Sequence, residues 1–110
     1  MPDRAQDWLK QAQKDLEQAR DSQRLNHHEW ACFAAQQAAE KAVKGLHLHL
    51  GQEAWGHVVA KLLEELPRAV TVPADMIEKA KVLDNFYSFA LSQFPPGGGS
   101  FSALRISAEW

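Results

Sequence analysis

The sequence predicts an all-α fold, an antiparallel up-and-down helical bundle. Apolar residues recur at steps of three and four in four successive segments, which is the spacing of one helical face. No stretch of useful length alternates apolar and polar residues as a strand would. Glycine and proline stand between the segments, where helices end and begin. These observations indicate one small helical domain in a chain of 110 residues.

The first two segments are the long helices of the predicted bundle. Segment one covers residues 3–24, and Asp3 is a candidate cap for its N-terminus. Segment two covers residues 28–50 and stops at Gly51. Alanine is frequent on more than one face of segment two, and small side chains let neighbouring helices approach closely. We therefore predict that segment two is the central helix.

Two shorter segments complete the predicted domain. Segment three covers residues 57–66 and ends at Pro67. Segment four begins after Pro73 and continues to Tyr87. The helical domain is accordingly predicted to span residues 1–87.

Residues 88–110 are predicted to form an irregular tail. Two prolines and three glycines at residues 95–99 are incompatible with a long helix there. A bundle whose first two helices are long needs another long helix to cover them, so the C-terminal helix of the bundle is predicted to be missing. We expect segments one and two to leave part of an apolar stripe exposed, which favours association.

Charge and composition exclude several functional classes. The net charge of −2 and the pI of about 6.2 provide no global basic field that would draw the protein to nucleic acid or to a membrane, although a local basic patch is compatible with them. No run of about 18 apolar residues is present, and the N-terminus lacks the apolar core of a signal peptide. The single Cys32 has no partner for an internal disulfide. We predict a cytoplasmic protein that does not bind a membrane.

The five histidines do not predict a metal site. His47 and His49 stand two positions apart on a helix and therefore point to different faces. No carboxylate stands at a convincing spacing to complete a ligand set. Neither a metal nor a cofactor is predicted, and His57 is expected to cap or pack at the start of segment three.

Segment two and its flanks resemble a known family. The stretch WACFAAQQAAEKAVKGL, with DWLKQAQKDLEQAR before it and WGHVVAKLLEELP after it, resembles the small stand-alone HEPN domain proteins of prokaryotes. The resemblance covers residues 5–87 in order and is most specific in the stretch CFAAQQAAEKAVKGL. It implies a helical bundle, usually a homodimer, often encoded beside a small nucleotidyltransferase with which it forms a toxin–antitoxin pair.

The resemblance also implies where catalytic residues would stand. Many family members are metal-independent ribonucleases with an R-x(4–6)-H motif after the element that reads KVLDNFY here, in which His moves a proton and Arg stabilises the developing phosphorane charge. This chain reads SFALSQFPPGGG at that place, so the motif is absent and no catalytic residue is predicted. Arg20 and His27 have R-x6-H spacing, but they lie at the end of segment one, where a polar loop produces such pairs by chance.

One hypothesis for the missing motif is a frameshift between Tyr87 and Ser88. Suppose that the codons of the tail are read one base later. Synonymous codons for the tail residues can then encode RYPNFH, an R-x4-H motif at the place where the family carries it. The alternative hypothesis is a diverged tail that is genuinely short.

Lys41 and Lys44 are the candidate binding residues for a nucleotide or RNA. They stand three positions apart on one face of segment two, and the resemblance implies that polar residues of this helix line the cleft near the dimer axis. Two readings remain open, a contact with phosphate and simple exposure to solvent.

Other polar and aromatic residues are interpreted as structural. Gln36 and Gln37 lie in an otherwise apolar helix, so at least one is expected to face a neighbouring helix or subunit that pairs its amide. Trp8, Trp30 and Trp55 are expected to pack in the core or in an interface and not to serve as stacking platforms for bases.

Two functions follow from these observations. The first is a HEPN domain that binds a nucleotide or RNA and belongs to a family of toxin-type ribonucleases, but does not itself cleave RNA. The second is a non-catalytic helical interaction module that binds a nucleotidyltransferase or a second copy of itself.

Overall fold

The computed structural model describes residues 3–93, and this part of the chain is all-α, as predicted. Its four helices are, in order, α1 Arg4–Arg24, α2 His28–His49, α3 Val59–Glu64 and α4 Ala74–Gln93. Helices α1 and α4 each pack on α2 and run antiparallel to it, and α3 packs against both α2 and α4. The predicted antiparallel bundle with α2 at its centre is confirmed. None of the helices between residues 3 and 93 is long and apolar enough to span a membrane.

Both ends of α1 follow from local chemistry. The Asp3 side chain accepts hydrogen bonds from the backbone N–H groups of Ala5 and Gln6, at 3.1 and 3.3 Å, so the predicted cap is confirmed. After the last turn, Asn26 adopts a left-handed conformation with φ of 62°, which reverses the chain towards α2. Asparagine tolerates this conformation better than most residues do.

Helices α1 and α2 approach closely at Gly45. A Cβ atom at this position would lie 3.1 Å from Cβ of Trp8 and 3.2 Å from the carbonyl oxygen of Ala5. Any side chain there would push the two helices apart. Gly45 therefore sets the spacing at which the polar residues of α2 meet those of α1.

Helix α3 is shorter than predicted, with six residues instead of the expected span of 57–66. Val58 is extended, and the helix begins where the carboxylate of Asp84 on α4 accepts the backbone N–H groups of Val59 and Ala60, at 2.9 and 3.0 Å. The first turn of α3 is thus capped by another helix and not by its own N-cap residue.

Helix α4 continues past the predicted end of the domain. It reaches Gln93, so residues 88–93 are helical and their assignment to an irregular tail was wrong. The physical reason is that the first helix-breaking residue after Tyr87 is Pro95, which disfavours helical backbone at the residue before it. The rest of the predicted tail, residues 94–110, lies outside the described residues, as does the predicted missing helix, and the frameshift between Tyr87 and Ser88 stays a hypothesis.

The hydrophobic core lies between α2, α3 and α4. Val59, Ala60, Leu63 and Ala80 are buried together, and Val43 packs against them. The α1–α2 side of the bundle is less well covered. Its large apolar residues stay exposed, as the sequence predicted: Leu9, Leu16, Leu46 and Leu50.

Candidate functional site

Lys41 lies in the interface between α1 and α2. Its Nζ is 2.6 Å from Oδ2 of Asp15, and its side chain is only 3% exposed. The expectation of a solvated lysine was therefore wrong for this residue, because Asp15 draws the ammonium inward. A phosphate contact by Lys41 stays a prediction.

Lys44 lies one turn further along α2 and is oriented differently. Its Nζ is 3.3 Å from Oε2 of Glu40 and 5.8 Å from the ring centroid of Trp8. The side chain is 14% exposed, so solvation is not its main environment either. Its remaining exposure is towards an open cleft between α1, α2 and the α2–α3 connector.

We call this feature the connector cleft. Its lining residues come from three parts of the chain: Arg4, Trp8, Lys44, Leu48, Glu53, Ala54 and Trp55. Arg4 is mostly exposed and pairs with Glu53 at 3.6 Å. Trp55 is 80% exposed, so it does not lie in the core of this chain, and the alternative of a place in an interface stays a prediction. Two cations and two indole rings thus surround one concave surface.

The chemistry of the connector cleft suits an aromatic anion. Indole faces stack with nucleobases, and such stacking does not depend on the sequence of bases. Arginine and lysine bind phosphate, the arginine through a planar fork of donors. Glu53 limits the net charge of the cleft, and an incoming phosphate must compete with it for Arg4.

A buried polar network lies beneath the connector cleft. Glu40 is fully buried, and its Oε1 lies 2.7 Å from Nδ1 of His57. Gln36 is also fully buried and donates to the carbonyl oxygen of His57 at 2.6 Å. Gln37 is buried as well, and its Nε2 donates to the side-chain oxygen of Gln36. Gln36 is therefore buried with its amide paired, but its partner is in the α2–α3 connector and not in the neighbouring helix or subunit that was expected.

The network explains the position of His57, which was expected to cap or pack at the start of α3. The N-cap of α3 is Val58, so His57 does not occupy that position. Its ring packs against α2 and α4 instead, bonded to Glu40 and 6.2 Å from the ring of Tyr87. The sequence did not predict the pairing of Lys41 with Asp15 or of Glu40 with His57, because the spacing along one helix says nothing about partners from other elements.

The other histidines and Arg20 do not assemble a site in the described residues. His47 is buried, with its ring nitrogens bonded to the carbonyl of Leu62 and the amide of Gln52, at 2.8 Å each, which is a structural role. Between residues 3 and 93 no group of three or more potential ligand side chains could hold a metal ion. Arg20 and His27 are both exposed, at the end of α1 and at the N-cap of α2.

Two solved structures and one family profile resemble this chain. The crystal structure of TT1696 from Thermus thermophilus has a TM-score of 0.78 and 49% sequence identity, covering 98% of this chain and 87% of that chain. The crystal structure of ST0689, an archaeal HEPN homologue, has a TM-score of 0.67 and 45% identity, covering 79% of this chain and 66% of that chain. A search of curated proteins found no match. Since the HEPN domain profile matches residues 5–93, the chain belongs to the HEPN domain family.

Proposed function

We propose that this HEPN protein binds RNA or a nucleotide in the connector cleft and does not cleave RNA itself. The observation that supports binding is the convergence of Arg4 and Lys44 with the indoles of Trp8 and Trp55 on one concave surface. A role in a toxin–antitoxin pair, in the cytoplasm, belongs to the same proposal and is based on the family resemblance.

The two lysines that the sequence singled out would then have different tasks. Lys44 contacts the ligand, because it lines the cleft and keeps one exposed edge. Lys41 supports the cleft from a distance, because its ion pair with Asp15 fixes α1 against α2. A phosphate contact by Lys41 itself requires this ion pair to open.

The absence of cleavage follows from the sequence after Tyr87. No histidine follows His57 anywhere in the chain, so an R-x(4–6)-H motif cannot be completed after α4. Without such a pair, neither the proton transfer nor the phosphorane stabilisation of a metal-independent ribonuclease is supplied at that place.

Fluorescence anisotropy with a short labelled single-stranded RNA tests binding. We expect Lys44→Met to weaken the affinity about 10-fold, through the lost charge-assisted contact. Trp55→Ala should weaken it by a similar factor, through the lost stacking. The matched control is Lys79→Met, which removes an equally charged but largely exposed side chain on α4, outside the connector cleft. Equal affinities of Lys44→Met and Lys79→Met would contradict the proposed site.

A cleavage assay with the same RNA tests the second half of the proposal. We expect the RNA to stay intact after prolonged incubation with the purified protein. Cleavage that is abolished by Arg20→Ala or by His27→Ala would contradict the proposal and identify that pair as catalytic.

A second candidate function is association through an apolar surface. One groove lies between α2 and α4, and another between α1 and α2; Ala42 lines both. A third lies where Cys32 meets the end of α4. We call the combined surface the apolar face, and its members are Leu9, Cys32, Ala39, Ala42, Leu46, Met76, Leu83, Phe86 and Phe89. Exposed apolar surface of this extent favours a partner.

We propose that a second copy of the chain covers the apolar face. Light scattering after size exclusion should show a dimer, and Phe86→Glu should convert it to a monomer. Leu25→Glu is the control, since Leu25 is also exposed but lies in the α1–α2 turn, outside the face. A protein that is monomeric at high concentration would contradict self-association, and co-purification with a nucleotidyltransferase would assign the face to that partner.

A further inference from the structure

The connector cleft contains an ion pair that the binding of phosphate alone leaves unexplained. Arg4 and Glu53 both line the cleft, with Nη1 of Arg4 3.6 Å from Oε1 of Glu53. Their side chains are 65% and 57% exposed, and ion pairs so open to water contribute little to stability. A carboxylate is also unfavourable in a site for phosphate alone, because it repels the anion. The pair therefore indicates a ligand that uses both groups.

The connector is anchored immediately before Glu53. The backbone N–H of Gln52 donates to the carbonyl oxygen of His47 at 2.9 Å, and Nε2 of Gln52 lies 2.8 Å from Nδ1 of His47. His47 is buried, and Gly51 turns the chain there with a φ of 83°. These contacts attach the connector to the end of α2 and place Glu53 opposite Arg4, the first residue of α1.

Guanine is the base whose edge matches this ion pair. Its N7 and O6 atoms accept hydrogen bonds, and the planar fork of an arginine binds both at once. Its N1–H and N2 amino groups donate, and a carboxylate accepts from both with its two oxygens. These four groups follow one another along the base, so an arginine and a glutamate bind them side by side and stay close together. Guanine thus uses the ion pair without separating it.

The other bases match the ion pair less well. In the same position adenine places its N6 amino donor against the arginine and its N1 acceptor against the carboxylate, so both contacts are repulsive. Cytosine and uracil lack N7, and neither carries two adjacent donors for a carboxylate. A base edge of two acceptors followed by two donors belongs to guanine among these four.

The remaining groups of the cleft suit the rest of a guanine nucleotide. Trp55 is 80% exposed, and an exposed indole face can stack on a base. Lys44 lies over the ring of Trp8, with its Nζ 5.8 Å from the ring centroid. Its ammonium is left to bind the phosphate, because Arg4 is engaged by the base.

We infer that the connector cleft selects guanine, with Arg4 on N7 and O6 and Glu53 on the N1–H and N2 amino groups. This specificity rests on the proposed binding of RNA or a nucleotide in the cleft. Glu53 determines the preference over adenine, because only guanine offers donors where its carboxylate lies. Water competes for these exposed groups, so the preference is smaller than in a closed pocket.

Isothermal titration calorimetry with three nucleoside 5′-monophosphates tests the preference. Guanosine, inosine and adenosine monophosphate share the ribose and the phosphate, and inosine differs from guanosine only by the missing N2 amino group. We expect guanosine monophosphate to bind about 10-fold more tightly than adenosine monophosphate, with inosine monophosphate between them. Adenosine monophosphate that binds as tightly as guanosine monophosphate overturns the inference.

Glu53→Gln tests the residue that is assigned the selection. The amide has one acceptor oxygen, so the preference for guanosine over adenosine monophosphate should fall below about 2-fold. The affinity for adenosine monophosphate should not fall, because loss of the negative charge releases Arg4 to the phosphate. Glu64→Gln is the control, since it removes an equal charge at the exposed end of α3, outside the cleft. Equal weakening of all three nucleotides by Glu53→Gln would show a structural role and overturn the inference.

The labelled RNA distinguishes a failure of this inference from a failure of the proposed function. Suppose that Lys44→Met weakens RNA binding, but the three nucleotides bind alike or do not bind. The connector cleft then binds RNA without selecting guanine, and only the inference fails. If neither the RNA nor any nucleotide binds, the proposed function fails and the inference fails with it.

Discussion

Polar side chains of α2 are buried at positions where apolar ones would be expected. Gln36 and Glu40 are fully buried, and Gln37 and Lys41 are buried as well. Burying such groups is unfavourable unless they are paired, and the two charged residues have partners of opposite charge. Through these pairs, the buried polar residues of α2 connect it to α1 and to the α2–α3 connector.

Substitution of Lys41 tests the structural role of this network. We expect Lys41→Met to lower the free energy of unfolding by about 2–4 kcal/mol, because Asp15 keeps its charge in the interface without an ammonium beside it. Urea denaturation measures the loss. Lys79→Met, which breaks only a solvated pair with Asp75, should cost less than about 1 kcal/mol. The two losses would be equal if the Lys41–Asp15 pair were not structural.

A second substitution distinguishes the effect of the unpaired Asp15 charge from an effect of lost packing. Asp15→Leu in the Lys41→Met background removes the unpaired charge, so part of the lost stability should return. If the double variant is less stable than Lys41→Met alone, the loss comes from packing and not from the charge of Asp15.

At the scale of the helices, α3 depends on a residue that is distant in sequence. Its six residues are too few for an independently stable helix, and its own N-cap side chain makes no hydrogen bond. Asp84 supplies two acceptors from α4 instead. The negative charge also lies at the positive end of the helix dipole, which adds to the stabilisation.

Removal of this carboxylate should loosen α3 first. We expect Asp84→Ala to lower the free energy of unfolding by about 1–2 kcal/mol, because two N–H groups of the first turn lose their acceptors. Native-state hydrogen exchange should show the largest loss of protection in the amides of Val59–Glu64. Asp84→Asn keeps one acceptor oxygen and should cost less. An α3 whose exchange is unchanged in Asp84→Ala would show that packing alone maintains the helix.

The helices could be predicted from the sequence to different extents. The apolar spacing located α1 and α2 to within one residue at each end, since their caps and turns are encoded locally. The apolar spacing overestimated the length of α3, because the start of this helix is set by Asp84 on α4. The predicted end of α4 at Tyr87 was too early, because the prolines and glycines at residues 95–99 were expected to disrupt the helix as far back as residue 88. Lys41 and Lys44 were found as candidates from their spacing on α2. Asp15 beside Lys41 and Trp8 beside Lys44 belong to α1, so the spacing along α2 could not predict them.

For the whole molecule, the outstanding feature is the uneven coverage of α2. The core cluster between α2, α3 and α4 is buried, whereas the apolar face, which extends from α1 across α2 to α4, is open. The sequence predicted an exposed apolar stripe on α1 and α2, but its reason was partly wrong, because the fourth segment is not short and forms the 20-residue α4. The central alanines of the face, Ala39 and Ala42, leave room for a partner helix to approach closely.

The alkylation rate of Cys32 shows whether the apolar face is covered in solution. Burial raises the pKa of its thiol, and the nearby charge of Glu29 raises that pKa further, so little thiolate exists near neutral pH. Alkylation by iodoacetamide should therefore be slow and should accelerate as the pH rises. If copies pair through the apolar face, the rate at fixed pH should also fall as the protein concentration increases, because the dimer excludes the reagent.

A substitution at the far end of the apolar face distinguishes dimer formation from a local effect on the reactivity of Cys32. Leu46→Glu lies outside the groove that Cys32 lines, so it should leave the alkylation rate of dilute protein unchanged. It should abolish the dependence on concentration, because a buried, unpaired carboxylate opposes association. Leu25→Glu, outside the face, should retain the wild-type dependence. Rates that do not change with concentration in the wild type would show that no second copy covers Cys32, and the self-association proposal would then fail.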